Sequence, residues 1–186
     1  KVYTMEELGI QRLTAETDYD GDGIDDWTEF LNGARKDAEN HPKYDGSYVA
    51  GGFPPEDIGV CTDVIWRAFR EAGYDVREMV DEDIRARPEA YSWITERDKN
   101  IDFRRVVNLE EFFREHGVTL SNDWRDLEEW QPGDIIISSN GTHIGIVSDR
   151  RTREGRPYII HNSGQPMREE DYLKRGEVVG HYRFGE

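Results

Sequence analysis

Residues 131–162 read QPGDIIISSNGTHIGIVSDRRTREGRPYIIHN. Pro132-Gly133 makes a turn, and three short Ile- and Val-rich runs follow: Asp134–Ser138, His143–Ser148 and Tyr158–His161. Runs of this length, rich in β-branched residues and bounded by Gly, Asn and Pro, predict strands, and Val178–Phe184 predicts a fourth. Upstream the period changes. Trp27, Phe30, Leu31, Ala34 and Ala38 recur at helical spacing, which predicts an amphipathic helix over 26–39. Residues 40–60 are loop, broken at His41-Pro42, Asp45-Gly46, Gly51-Gly52 and Pro54-Pro55. A second helix starts at Cys61, with Val64, Ala68 and Ala72 on one stripe and Gly73 as its stop. Helices first and an antiparallel sheet last define an α+β domain.

Two segments are less clear. Residues 1–17 carry weak helical character, and 74–130 are charged and either helical or irregular. Within the latter, Asn108 is placed to cap a short helix over Leu109–His116 that Gly117 ends.

Composition narrows the function classes. With 186 residues the chain can bury one core without disulfides, and its single cysteine allows no intrachain disulfide. A formal net charge of −16 repels phosphates, so nucleic acid and anionic membrane surfaces are poor partners. No apolar run approaches the roughly 20 residues that span a bilayer. The chain begins at Lys1 without a charged-then-apolar leader, so a removed signal or anchor segment is assumed.

Asp18, Asp20, Asp22, Gly23, Asp26 and Glu29 occupy positions 1, 3, 5, 6, 9 and 12 of a 12-residue loop, the spacing of an EF-hand calcium loop. The expected ligands are the carboxylates of Asp18, Asp20, Asp22, Asp26 and Glu29 and the carbonyl of Ile24. Ile24 stands at loop position 7, whereas paired EF-hands carry their apolar residue at position 8. A lone loop predicts a structural calcium site rather than a sensor, and a site of modest affinity fills outside the cell. The organisation read from this is an N-terminal segment, 1–29, carrying the loop 18–29, followed by a domain over 30–186.

Gly59-Val60-Cys61-Thr62-Asp63-Val64 places the cysteine where loop becomes helix. There the free N–H groups and the helix dipole favour a thiolate, and the N–H of Cys61 is placed to bind an oxyanion. Asp63, within the first turn, opposes thiolate formation unless it points away. His143 stands at the mouth of one predicted strand and His161-Asn162 at the end of another. Neighbours on a strand face opposite sides, so one of His161 and Asn162, not both, can orient His143.

A helix-start Cys, a Pro-Gly-Asp turn, a strand-mouth His and a later Ile-Ile-His-Asn resemble the NlpC-type branch of the papain-like cysteine peptidases. Tyr44-Asp45-Gly46-Ser47-Tyr48, Gly59–Val64, Asn100–Arg105, His143–Val147 and Gly180-His181-Tyr182-Arg183 resemble, more narrowly, a bacterial family catalogued as a domain of unknown function, number 1287. The likeness covers about residues 30–186. It implies a papain-like fold with Cys61 as nucleophile, His143 as base and His161 as third member, Asn162 being the alternative. Tyr48 loosely matches a tyrosine lining the cleft. NlpC-type enzymes usually follow the Cys with Ser-Gly, where this chain has Thr62-Asp63. Arg104 is suited to clamp a substrate carboxylate or to pair within the protein. Asp81-Glu82-Asp83 reads as a solvated helix start rather than a metal site.

The expected activity is a secreted, cell-wall-associated thiol hydrolase, acting as a monomer without an organic cofactor on amide bonds of peptidoglycan stem peptides. Acyl transfer through the same Cys-His pair, or a non-catalytic calcium-stabilised surface module, are the alternatives.

Overall fold

The computed structural model describes residues 1–185. In chain order the elements are β1 (Tyr3–Thr4), α1 (Asp26–Asn40), β2 (Lys43–Tyr44), β3 (Ile58–Gly59), α2 (Cys61–Glu71), α3 (Val76–Ala86) and α4 (Val106–His116). They continue with β4 (Gly117–Thr119), β5 (Ile135–Ser138), β6 (His143–Arg151), β7 (Pro157–Ile160), β8 (Glu169–Glu170) and β9 (Val178–Phe184). The chain is α+β: helices precede an antiparallel sheet of order β4-β9-β5-β6-β7-β8, with β1 paired to β6. β2 and β3 form a separate parallel pair that brackets the loop before Cys61.

Alternation along the Ile-rich runs gives the sheet two buried faces. Ile135 pairs with Ile146, which pairs with Ile160, and Ile137 pairs with Ile144. All five point to the helical layer, where they meet Phe30, Ile65, Phe69 and Phe113. Ile136, Val147 and Ile159 point the other way, onto Trp130, Tyr172 and Leu173. Burying each such side chain contributes about 1.5–3 kcal/mol, so a register slip that exchanges the faces is strongly disfavoured.

The first two helices pack closely because Gly33 of α1 has no side chain. A Cβ there would lie 2.8 Å from the Cα of Ala68 on α2. Beside this contact the rings of Phe30 and Phe69 stack at 3.9 Å. The stop of α2 follows the expectation, with Gly73 at φ +94°.

Three readings of the sequence need correction. Residues 1–17 contain no helix: Tyr3–Thr4 add a strand to the β6 edge, and Leu13 donates to Gln131 Oε1 at 2.8 Å. Asn108 does not cap α4 but lies within it, buried, accepting from Trp93 Nε1 at 2.7 Å and donating to the Asp102 carbonyl at 3.0 Å. The Asp81-Glu82-Asp83 run lies inside α3, where buried Asp81 pairs with Arg85 and Arg97, and Asp83 with Arg87 and His116.

Candidate active site and acidic loop

Cys61 is the first residue of α2, and buried polar contacts fix the turn that presents it. Asp63 Oδ2 accepts the Val60 N–H at 2.8 Å, and Asp63 Oδ1 accepts Trp66 Nε1 at 2.8 Å. Both oxygens also face Arg104, at 3.0 and 3.1 Å. The remaining reach of Arg104 goes to the Ser47 carbonyl, at 3.0 Å, and Thr62 donates to the Arg104 carbonyl at 3.1 Å. One turn on, buried Arg67 donates to the Ile58 carbonyl at 2.7 Å and to Asp37 of α1 at 3.0 Å. Asn162, just beyond β7, donates to the Gly59 carbonyl at 3.2 Å. The residues before the cysteine are therefore tied to α1, α2 and the sheet at once.

These contacts correct one reading. The side chain of Arg104 is 1% exposed and fully engaged with Asp63 and Ser47, so it is an internal ion-pair partner and not a substrate clamp. Tyr48 is 57% exposed and its hydroxyl donates to Asp98 at 2.9 Å.

The half-buried thiol lies against the first residues of β6, where the Ile144 N–H faces it together with the N–H groups of Thr62 and Cys61. His143, the residue before Ile144, opens β6. Its Nε2 lies 2.8 Å from His161 Nδ1, and His161 Nε2 lies 2.7 Å from Glu170 of β8. Gly145 makes room for this approach: a Cβ there would come within 2.7 Å of Ile159 and 3.2 Å of the His161 Cβ. The ring of Tyr172 covers His161 at 4.4 Å and His143 at 5.6 Å. A cleft of about 670 Å³ opens beside His143, between Asn140, Thr142, Ser163, Tyr172 and Arg175.

The structure thus brings His161, not Asn162, to His143. Asn162 donates instead to the Gly59 carbonyl and serves the turn before Cys61; both residues lie just past the end of β7, so their separation is set by these partners. Glu170 and Tyr172 escaped the sequence reading. The alternation of Glu169 and Glu170 was the available signal: Glu169 faces Arg35 and Ser148, and Glu170 faces His161 and Arg175.

Electrostatics at the site differ from the expected poised thiolate. Burial pushes the Cys61 thiol up to about 11, aided by nearby Asp63, against the pull of three N–H groups. Burial also pushes His143 down to about 4, with His161 and Arg175 acting in the same direction. The resting pair is a neutral thiol and a neutral imidazole. Burial lowers His161 too, although the Glu170 carboxylate works against that shift. Burial opposes charge on Glu170, but hydrogen bonds from Arg175 and His161 outweigh it and hold this carboxyl below the usual range.

The acidic loop lies at the opposite end of α2. Ligand-capable oxygens of Asp18, Asp20, Asp22 and Glu29 all lie within 4.8 Å of one another. Asp18 accepts from the N–H groups of Gly21 and Gly23, and Asp22 from that of Ile24, so the chain wraps around its own carboxylates. Glu29 is 2% exposed and neither of its oxygens meets a donor. Burial and the facing carboxylates of Asp22 and Asp20 push its carboxyl up to about 8. Asp26 is not part of this cluster. It opens α1 and accepts from the Tyr19 N–H at 2.9 Å and the Tyr74 hydroxyl at 2.6 Å. That removes Asp26 from the direct ligands. Tyr19 stacks on Tyr74 at 4.1 Å, which docks the loop on the C-terminal end of α2.

Together these features define an α+β protein with a cysteine at a helix start, facing the backbone at the start of the strand whose first residue is a histidine backed by a second histidine and a carboxylate. The chain belongs to the family described as Domain of unknown function (DUF1287), whose model matches residues 31–184. It is 39% identical over 163 residues to the uncharacterized protein YijF of Escherichia coli (strain K12), a match covering 82% of this chain and 79% of that protein. No solved structure matches the chain significantly. The acidic loop precedes the matched span. Among the described residues no helix is long and apolar enough to cross a membrane.

Proposed function

We propose that this protein is a papain-like, NlpC-type cysteine hydrolase acting outside the cell on amide bonds of peptidoglycan stem peptides. The observation that carries the proposal is the apposition of the Cys61 thiol to the start of β6, where His143 is itself held by His161 at 2.8 Å. Cys61 is the nucleophile, His143 the base and His161 the residue that orients it. Because the resting pair is neutral, the thiol is activated as it attacks: its proton passes to His143 while sulfur bonds to the carbonyl carbon. The N–H of Cys61, lacking a helical acceptor, meets the oxygen that gains charge. His143 returns the proton to the leaving amine, and water then cleaves the thioester.

Digestion of purified muropeptides, read by mass spectrometry, tests the reading. The expected result is a single cleaved amide bond with the wild type and no product with Cys61→Ala. Muropeptide retained without cleavage would point to a binding module of the same fold. Product joined to an acceptor amine would point to acyl transfer.

The loop at 18–29 is proposed to hold one structural calcium ion. Its support is the buried, donor-free carboxylate of Glu29 aimed at Asp18, Asp20 and Asp22, an arrangement that repels itself without a cation. The side chains of Asp18, Asp20, Asp22 and Glu29 and the carbonyl of Ile24 would supply the oxygens a calcium ion takes. With a Kd of about 10⁻⁴ M, ~1 mM calcium stabilises the fold by about 1.4 kcal/mol. Calcium added after EDTA treatment is therefore expected to raise the melting temperature by a few degrees, magnesium to do less, and Asp20→Ala to remove the response. Turnover at low temperature is expected to survive EDTA. Its immediate loss in folded protein would place the metal in the active site instead.

A further inference from the structure

β8 contributes one residue whose position follows from hydrogen-bond logic alone. Glu170 Oε2 lies 2.7 Å from His161 Nε2, and Arg175 donates to both oxygens of Glu170, at 2.8 and 2.7 Å. A carboxylate only accepts, so His161 Nε2 carries the proton. A neutral imidazole has one N–H, so His161 Nδ1 is then a bare lone pair. The 2.8 Å contact with His143 therefore requires the proton of His143 on its Nε2. That leaves His143 Nδ1 as the free base, and it has no protein hydrogen bond among the described residues.

The other groups around the pair do not compete. The amide protons of Gln165, 3.2 Å from His161 Nε2, go to the carbonyls of His161 and Met167. Arg168 is spent on the carbonyls of Gln165 and Pro42, and the Tyr172 hydroxyl bonds Ser138 Oγ at 2.7 Å.

We infer that Glu170 is a positioning residue: by holding the proton of His161 on Nε2 it fixes the tautomer of His143, and so selects Nδ1 as the nitrogen that takes the Cys61 proton. The inference rests on the hydrolase reading for its catalytic meaning, but the tautomers are measurable without a substrate.

Glu170→Gln tests it sharply. Arg175 would take the amide oxygen of the glutamine and leave its NH₂ facing His161 Nε2. His161 must then accept there and donate from Nδ1, His143 must accept at Nε2, and its own proton moves to Nδ1. Long-range ¹H–¹⁵N spectra at neutral pH are expected to show pyridine-like Nδ1 and pyrrole-like Nε2 in both wild-type rings. In Glu170→Gln the two assignments exchange, and alkylation of Cys61 by iodoacetamide slows by about 10-fold or more. A protonated His143 Nδ1 in the wild type overturns the inference. So do unchanged tautomers in a variant whose amide spectrum shows it folded; if the variant does not fold, the wild-type spectrum decides alone. His143→Ala separates the two ideas. If it alkylates as fast as the wild type, the Cys-His reading falls, whatever the tautomers show.

Discussion

Cys61→Ala and His143→Ala are each expected to lower amide hydrolysis by at least about 10³-fold, with the double variant no worse than either, because nucleophile and base act as one unit. Cys61 is half-buried against the helical core and His143 is buried at the mouth of β6, but each truncation removes only a few atoms, so the far-UV spectrum should not move. The pH dependence carries the sharper statement. An ion-paired site loses activity in acid as its low-pKa thiolate gains a proton, and in base as its imidazolium loses one. Here burial holds His143 near 4 and Cys61 near 11, so the neutral pair persists across the range between. The acid limb of kcat/KM is expected as pH falls through about 4, where His143 gains a proton, and not near the ordinary histidine value. Cys61 accordingly should not alkylate at low pH as a pre-formed thiolate would. Rapid alkylation in acid would mean that the pair rests as an ion pair, and an acid limb at ordinary histidine values would mean that His143 is not held down by burial. Turnover retained by Cys61→Ala would end the cysteine-hydrolase reading altogether.

What the sequence made legible was local. The Ile and Val runs that became β5, β6, β7 and β9 carry their own alternation, and the stripe of α1 is set by residues one turn apart. Cys61 at a helix start and Asp18, Asp20, Asp22 and Glu29 in one loop are likewise short-range patterns. What escaped was set by partners far along the chain. Tyr3–Thr4 look like the start of a weak helix, and only the distant edge of β6 makes them a strand. Asp26 has the spacing of a ligand, but as the first residue of α1 it bends to Tyr19 and to Tyr74, 48 residues away. Asn108 has the chemistry of a cap, yet Trp93 and the Asp102 carbonyl claim its amide inside α4. Glu170 alternates with Glu169 in a strand of only two residues, and reaches His161 only because β7 and β8 pair.

Arg104 shows how far such a partner can change a role, and its removal is the largest stability loss expected. Arg104→Ala should destabilise the fold by about 3–5 kcal/mol, the usual result of stripping one member from a buried ion pair. Asp63 is fully buried and would be left with only the Val60 and Trp66 N–H groups as partners. The loss would take a large share of the roughly 5–15 kcal/mol that holds a domain folded. Removing both partners, by Asp63→Ala with Arg104→Ala, should cost less than the two single losses added, since no unpaired charge remains; a coupling of about 0.5–3 kcal/mol is expected from urea midpoints. The site would feel this as well. Asp63 holds the turn before Cys61, and Arg104 ties that turn to Ser47 and Thr62, so the folded fraction of Arg104→Ala should turn over more slowly. A substrate clamp predicts the opposite pattern: unchanged stability, a raised KM and no coupling to Asp63. Equal urea midpoints for wild type and Arg104→Ala would therefore return Arg104 to the cleft. A shared loss with Asp63 places its work beneath the nucleophile, where a charge that opposes the thiolate is kept because it anchors the helix that carries the thiol.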